Sequence, residues 1–145
     1  MARCSVATRM SAVGTTVRGP SLYGTAAVKP QIKQIGVWNT TAVACAVAIV
    51  RASATGTQGA ALTEVCTSDS ANAIVATGFN THTADATVGA AIRQASLGAA
   101  IGSGVIWTFD DGEFILDKAA TTDGVVIICP TGTGQILDFY ISWRE

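Results

Sequence analysis

The one histidine is the first residue that could do chemistry. His82 sits in Asn80-Thr-His-Thr-Ala-Asp85, where Asp85 and a distant Cys66 or serine could complete a nucleophile, base and orienting acid. The chain has no Gly-x-Ser-x-Gly elbow and no second histidine, so His82 reads as a solvated loop residue. Asp110, Asp111, Glu113 and Asp117 are near enough in sequence to act as an acid and base, or to offer oxygens to calcium. Their spacing fits no EF-hand loop, and Asp111-Gly112 is hairpin-turn chemistry, which is the reading taken. Cys4, Cys45, Cys66 and Cys129 form no Cys-x-x-Cys pair and read as buried, reduced thiols. The glycine-rich stretches Gly98 to Gly104 and Gly132-Thr-Gly134 lack a P-loop lysine and read as turns. Asn39-Thr40-Thr41 satisfies the glycosylation triplet, a pattern common by chance. No catalytic residue, metal or cofactor is assigned.

The composition bounds what else the chain could do. Its 145 residues make one domain, and 13% charged residues is about half the usual fraction. A surface so poor in ionised groups suits contact. The longest apolar run, Ala42 to Val50, is too short to cross a bilayer as a helix, and the start lacks the apolar core of a secretory signal. The expectation is no membrane, folding in the cytoplasm and reduced cysteines. Charge is two-ended. Arg3, Arg9, Arg18, Lys29, Lys33 and Arg51 all precede the first acid, Glu64. They are dispersed singly, which argues against direct nucleic-acid binding and for a basic segment lying on an acidic protein surface.

Residues 1–20 are polar and basic and end at Gly19-Pro20, predicting an extended N-terminal arm ahead of a domain spanning 21–145. Short β-prone runs follow: Leu22 to Val28, Ile32 to Trp38, and Thr41 to Ala52 with its alternating Val43, Cys45, Val47 and Ile49. The turn at Ser53 to Gly59 predicts a hairpin between Thr41 to Ala52 and Ala60 to Cys66. A capped helical turn is expected at Ala71 to Ala73. A strand follows at Ile74 to Phe79. At Ala84 to Ile101, Val88, Ile92 and Ala95 fall at helical spacing, but Thr87 and the glycines at 89, 98 and 102 disfavour a long helix, and a strand is the expectation. Then comes a hairpin of Val105 to Phe109 with Glu113 to Leu116. Gly124 to Cys129 and Ile136 to Trp143 close the chain, the last with Leu137, Phe139, Ile141 and Trp143 on one face. Many short strands and no confident helix predict an all-β, two-sheet antiparallel sandwich, jelly-roll-like. Trp38 and Trp107, beside strand patterns, read as core.

In that order the strands resemble a family of small phage capsid decoration, or cement, proteins. The likeness is carried by Arg18-Gly-Pro-Ser-Leu-Tyr23, by Val47-Ala-Ile-Val-Arg51 with the Ala-Thr-Gly-Thr turn and Leu62-Thr-Glu, by Asn80-Thr-His-Thr-Ala84, by Trp107 with Gly-Glu-Phe-Ile-Leu116, and by Ile-Ser-Trp-Arg-Glu145. The chain departs from the family pattern at Gly98 to Gly104. The resemblance implies a non-enzymatic virion protein, trimeric, bridging major capsid proteins on the outside of a phage head. Arg3, Arg9 and Arg18 are then the expected capsid contacts. A carbohydrate-binding or fibre-associated module is the alternative, and it requires exposed aromatics around a groove.

Overall fold

The computed structural model describes residues 2–68, 71, 73–117 and 121–145. Ten strands account for its regular structure: β1 (Arg3–Met10), β2 (Ser21–Tyr23), β3 (Gln31–Asn39), β4 (Cys45–Ala54), β5 (Val65–Cys66), β6 (Thr77–Phe79), β7 (Thr87–Leu97), β8 (Gly104–Thr108), β9 (Gly124–Ile128) and β10 (Leu137–Arg144). They form two five-stranded antiparallel sheets, ordered β5-β1-β10-β3-β8 and β6-β2-β9-β4-β7. Among the described residues no helix is long and apolar enough to cross a membrane.

The pairing has a simple logic. β1 pairs with β10, β2 with β9, β3 with β8 and β4 with β7, so the chain is one long hairpin folded back on itself. Each arm changes sheet at its corners: Gly19-Pro20 lies ahead of β2 and Pro30 ahead of β3. Proline there lacks the N–H that a continuing ladder would need. Wrapping such a ribbon into two layers gives the jelly roll. Between the layers pack Val6, Met10, Ile35, Val37, Phe139, Ile141 and Trp143 of the first sheet, against Leu22, Val47, Ile49, Val125 and Ile127 of the second.

This topology corrects several expectations. Residues 3–10 are no free arm. β1 is an interior strand of the first sheet, with Cys4, Val6 and Met10 buried in the core. The alternation of Cys4, Val6 and Met10 against Arg3, Ser5, Ala7 and Arg9 is the strand signal. β4 does not pair with residues 60–66; it lies between β7 and β9. The turn at Asp110 to Gly112 is present, with Gly112 at φ 84°, but the segment after it does not return along β8. Instead Ile32 N donates to Phe114 O (2.9 Å) and Leu116 N to Pro30 O (2.9 Å). The strand expected at 22–28 ends at Tyr23, while that at Ala84 to Ile101 is realised as β7. The helical turn expected at Ala71 to Ala73 lies partly outside the described residues.

The cysteines also differ from expectation. Cys4 and Cys66 face one another across β1 and β5 and are joined in a disulfide, leaving Cys45 and Cys129 as free thiols. Burial raises the pKa of both, most simply because a thiolate is poorly solvated there.

Candidate interaction face

The two outer faces of the sandwich are finished differently. Over the second sheet the chain covers itself. Tyr23, Val50, Ala52, Ala86 and Val126 form a second apolar cluster, with Val17 and Phe79 packed onto it. The cover is tied down by backbone bonds from Ala86 N to Val17 O (3.0 Å), His82 N to Arg18 O (2.6 Å) and Ile127 N to Pro20 O (2.9 Å).

His82 is the centre of that cover, and it is buried rather than solvated. Its Nδ1 lies 2.9 Å from Thr55 O, a pure acceptor, so Nδ1 carries the proton. Nε2 therefore accepts from the Ser21 hydroxyl, 2.7 Å away. Burial lowers the imidazole pKa and keeps the ring neutral. The arrangement has the serine–histidine half of a nucleophilic set, with a carbonyl in place of the acid. Asp85 is engaged by Arg18 (2.6 Å) and Cys66 by its disulfide. Ser21 is fully buried, so its oxygen faces protein and not a cleft. Nearby, burial pushes the Tyr23 hydroxyl up to about 12.

The first sheet has no such cover, and its outer face is laid out by strand register. One row across it is Ala7, Tyr140, Gly36 and Ile106; the next is Arg9, Asp138, Trp38 and Gly104. Trp38 is thus on the outer face and half-buried, not in the core, whereas Trp107 packs against the core from β8. The Trp38 and Tyr140 rings stack with centroids 5.6 Å apart. Glycine beneath them lets the rings lie flat on the sheet, since a Cβ on Gly36 would meet Trp38 and Tyr140 at 2.4 Å and one on Gly104 would meet Trp38 at 2.2 Å, and the rings would have to move off. Tyr140 OH donates to Gln34 Oε1.

Charge on this face is sparse. Arg9 holds Asp138 through Nε (2.7 Å) and Nη2 (3.0 Å), a bond that lowers the Asp138 pKa. Arg3 is exposed at one end of β1. Arg144 and Lys33 both reach Asp111, which lowers that carboxyl's pKa, chiefly through Lys33. Arg3 and Arg9 therefore share the open face, while Arg18 belongs to the cover of the opposite sheet.

The acids near residue 110 do not converge. Asp111 turns to Lys33, and Glu113 takes Arg93 on one oxygen (2.5 Å) and Asp110 N on the other (3.0 Å). Among the described residues no group of three metal-ligating side chains occurs. Asp123 instead closes one end of the sandwich, gripping Arg51 bidentately at 2.7 and 2.5 Å.

Asn39 has a role that its triplet concealed. It is buried, and its Nδ2 donates to Val43 O (2.6 Å) and Gly98 O (3.1 Å), while Oδ1 accepts from Thr41 N (3.0 Å). One amide thus ties the 40–44 and 98–103 loops together at a corner where Val43 and Ile101 are exposed. Sequence reasoning missed Ser21 and Tyr140 because their partners lie 61 and 106 residues away, and Asn39 because the second loop it ties, at Gly98, is 59 residues away. No model of a known protein family matches this chain, and no curated protein matches it.

Proposed function

We propose that this chain is a virion structural protein that binds the outside of a phage head, stabilises contacts between major capsid proteins and performs no catalytic step. The observation that carries the reading is the asymmetry of the sandwich: one outer face is covered by the chain's own segments, the other is open, weakly charged and bears Arg3 and Arg9. The resemblance of the Arg18 to Tyr23, Val47 to Arg51 and Asn80 to Ala84 segments to decoration proteins supports it. The mechanism is linkage. A protein that binds only the assembled lattice stabilises that lattice by its binding free energy, and many symmetric copies multiply modest contacts. Arginines on a pleated strand meet an acidic shell without the ordering cost of a flexible arm. The Cys4–Cys66 disulfide fits a particle that leaves the reducing host interior.

The test is addition of purified protein to undecorated heads. The Arg3→Glu, Arg9→Glu double variant, checked for native circular dichroism, should lose occupancy at least tenfold; undiminished occupancy overturns the reading.

A second reading has one observation in its favour. The stacked Trp38 and Tyr140 rings on an open sheet face are the kind of surface on which a sugar ring packs. Glycan-array binding that is lost in Trp38→Ala, without head binding, would select it.

A further inference from the structure

We propose that two copies of this chain join through the free edge of β7, strand against strand about a two-fold axis, so that their second sheets become one sheet of ten strands. The inference does not rest on head binding. It begins from the two lateral edges of the sandwich, which are unlike. On one side the outermost strands, β5 and β6, have two and three residues. The edge of β6 is already occupied: Leu62 N donates to Gly78 O (2.9 Å), Asn80 N to Ala60 O (2.9 Å), and Glu64 Oε1 accepts from Gly78 N (2.7 Å). On the other side β7 runs for eleven residues. Among the described residues its only strand partner is β4.

Folded proteins blunt such edges with proline, charge or bulges. The register of β7 on β4 is irregular opposite Val50 to Ala54 but unbroken from Arg93 to Leu97. That regular stretch has no proline and one charge. The charge is already engaged: the Arg93 guanidinium bonds Glu113 (2.5 Å) and lies over the Phe109 ring at 5.6 Å. What remains is a backbone template for strand addition.

The occupant that fits is a second copy. Antiparallel pairing centred on Ala95 sets Gln94 opposite Ser96 and Arg93 opposite Leu97. No like charges then meet, and Gln94 and Ser96 each gain a polar neighbour. The flanking surface is suited to burial as well. From Ala86 to Phe109 Arg93 is the only charged residue, and Ile101 and Ile106 are 76% and 51% exposed. An interface of ordinary size takes about 800 Å² per partner, about one-eighth of the 6399 Å² surface. The strip from β7 through β8, 22 residues and mostly exposed, is of that order. A closed ring of three would need a second, different open edge, and the β5/β6 side does not offer one. The geometry favours a dimer over the trimer implied by the family resemblance.

Light scattering on the purified protein should give twice the 14.7 kDa chain mass. Ile101→Asp and Ser96→Lys, both at exposed positions, should each raise the dissociation constant about tenfold or more. Val65→Asp, on the far side and 55% exposed, should leave it unchanged. Hydrogen exchange at 93–97 in the wild-type chain should slow as concentration rises, a readout needing no variant. A wild-type mass of one chain or of three overturns the proposal. So does a dimer indifferent to both edge variants, or one dissociated equally by Val65→Asp. Head binding by the wild type is scored separately, so either conclusion can fail alone.

Discussion

The Ser21 hydroxyl lies 2.7 Å from Nε2 of His82, and both residues are buried between the second sheet and the loops that cover it. Because burial lowers the His82 pKa below its ordinary 6.5, the unfolded chain takes up a proton as pH falls through about 6.5 while the folded chain does not. Stability from the neutral ring is therefore complete above that pH and is lost as the solution is acidified. The chain has one histidine, so thermal unfolding scanned from pH 7.5 to about 5 should show this slope in the wild type and lose it in His82→Gln.

Asn39 should be among the costliest polar residues to remove. Asn39→Ala leaves the Val43 and Gly98 carbonyls without their donor, and a loss of about 2 kcal/mol is expected in denaturant unfolding. Hydrogen exchange should quicken at 98–103, whose Gly102 N and Ser103 O bond the Asn39 backbone.

Reducing Cys4–Cys66, 62 residues apart in sequence, should cost about 4 kcal/mol through the freedom regained by the unfolded chain. Thiol titration in denaturant should count two groups before reduction and four after it.

Two glycines separate space from conformation. A Cβ at Gly19 would lie 1.6 Å from Ile127 O, a backbone atom that cannot swing aside, whereas at Gly89 nothing lies within 4 Å. Gly19→Ala should destabilise by about 3 kcal/mol or more, while Gly89→Ala stays within about 0.5 kcal/mol. Equal melting temperatures for the two variants would contradict the close approach of residue 19 to β9.

Ion pairs should rank by burial. Asp123, with 11% of its side chain exposed, is held by Arg51 and accepts Asp117 N (2.5 Å) as well, whereas Arg9 and Asp138 are 63% and 46% exposed. Asp123→Ala should lower stability by about 2 kcal/mol and Asp138→Ala by under 1 kcal/mol.

The strands at 31–39, 45–54 and 137–144 were legible from local alternation, 124–128 as a short apolar run between turns, and 87–97 only because Thr87 and its glycines disfavour the helix that Val88, Ile92 and Ala95 would otherwise suggest. Pairing was not, since a nested hairpin joins β1 to β10 and β2 to β9 across most of the chain. The Asp-Gly turn at 111–112 predicts a hairpin that the ribbon overrides, because residues 114–116 run on along the chain ahead of β3, bonding Pro30 and Ile32, and do not double back on β8. Polarity hid β1: Arg3, Ser5, Ala7 and Arg9 are the outward half of a strand whose inward half is apolar. Trp38 misled in the opposite sense, since an aromatic beside a strand pattern covers Gly36 and Gly104 from outside.

The meeting of Ala2 and Glu145, whose backbones bond each other at 2.8 and 3.1 Å, determines how the domain would bear a load. Tension applied at these two residues pulls β1 and β10 apart from their shared end, one rung at a time, beginning at Arg3 and Arg144. A zipper opened this way yields at low force, yet the tear meets Cys4 at the second rung. From there the covalent link to Cys66 carries part of the strain across to β5, on the side of β1 away from the opening seam, so β1 cannot peel off β10 without drawing β5 with it.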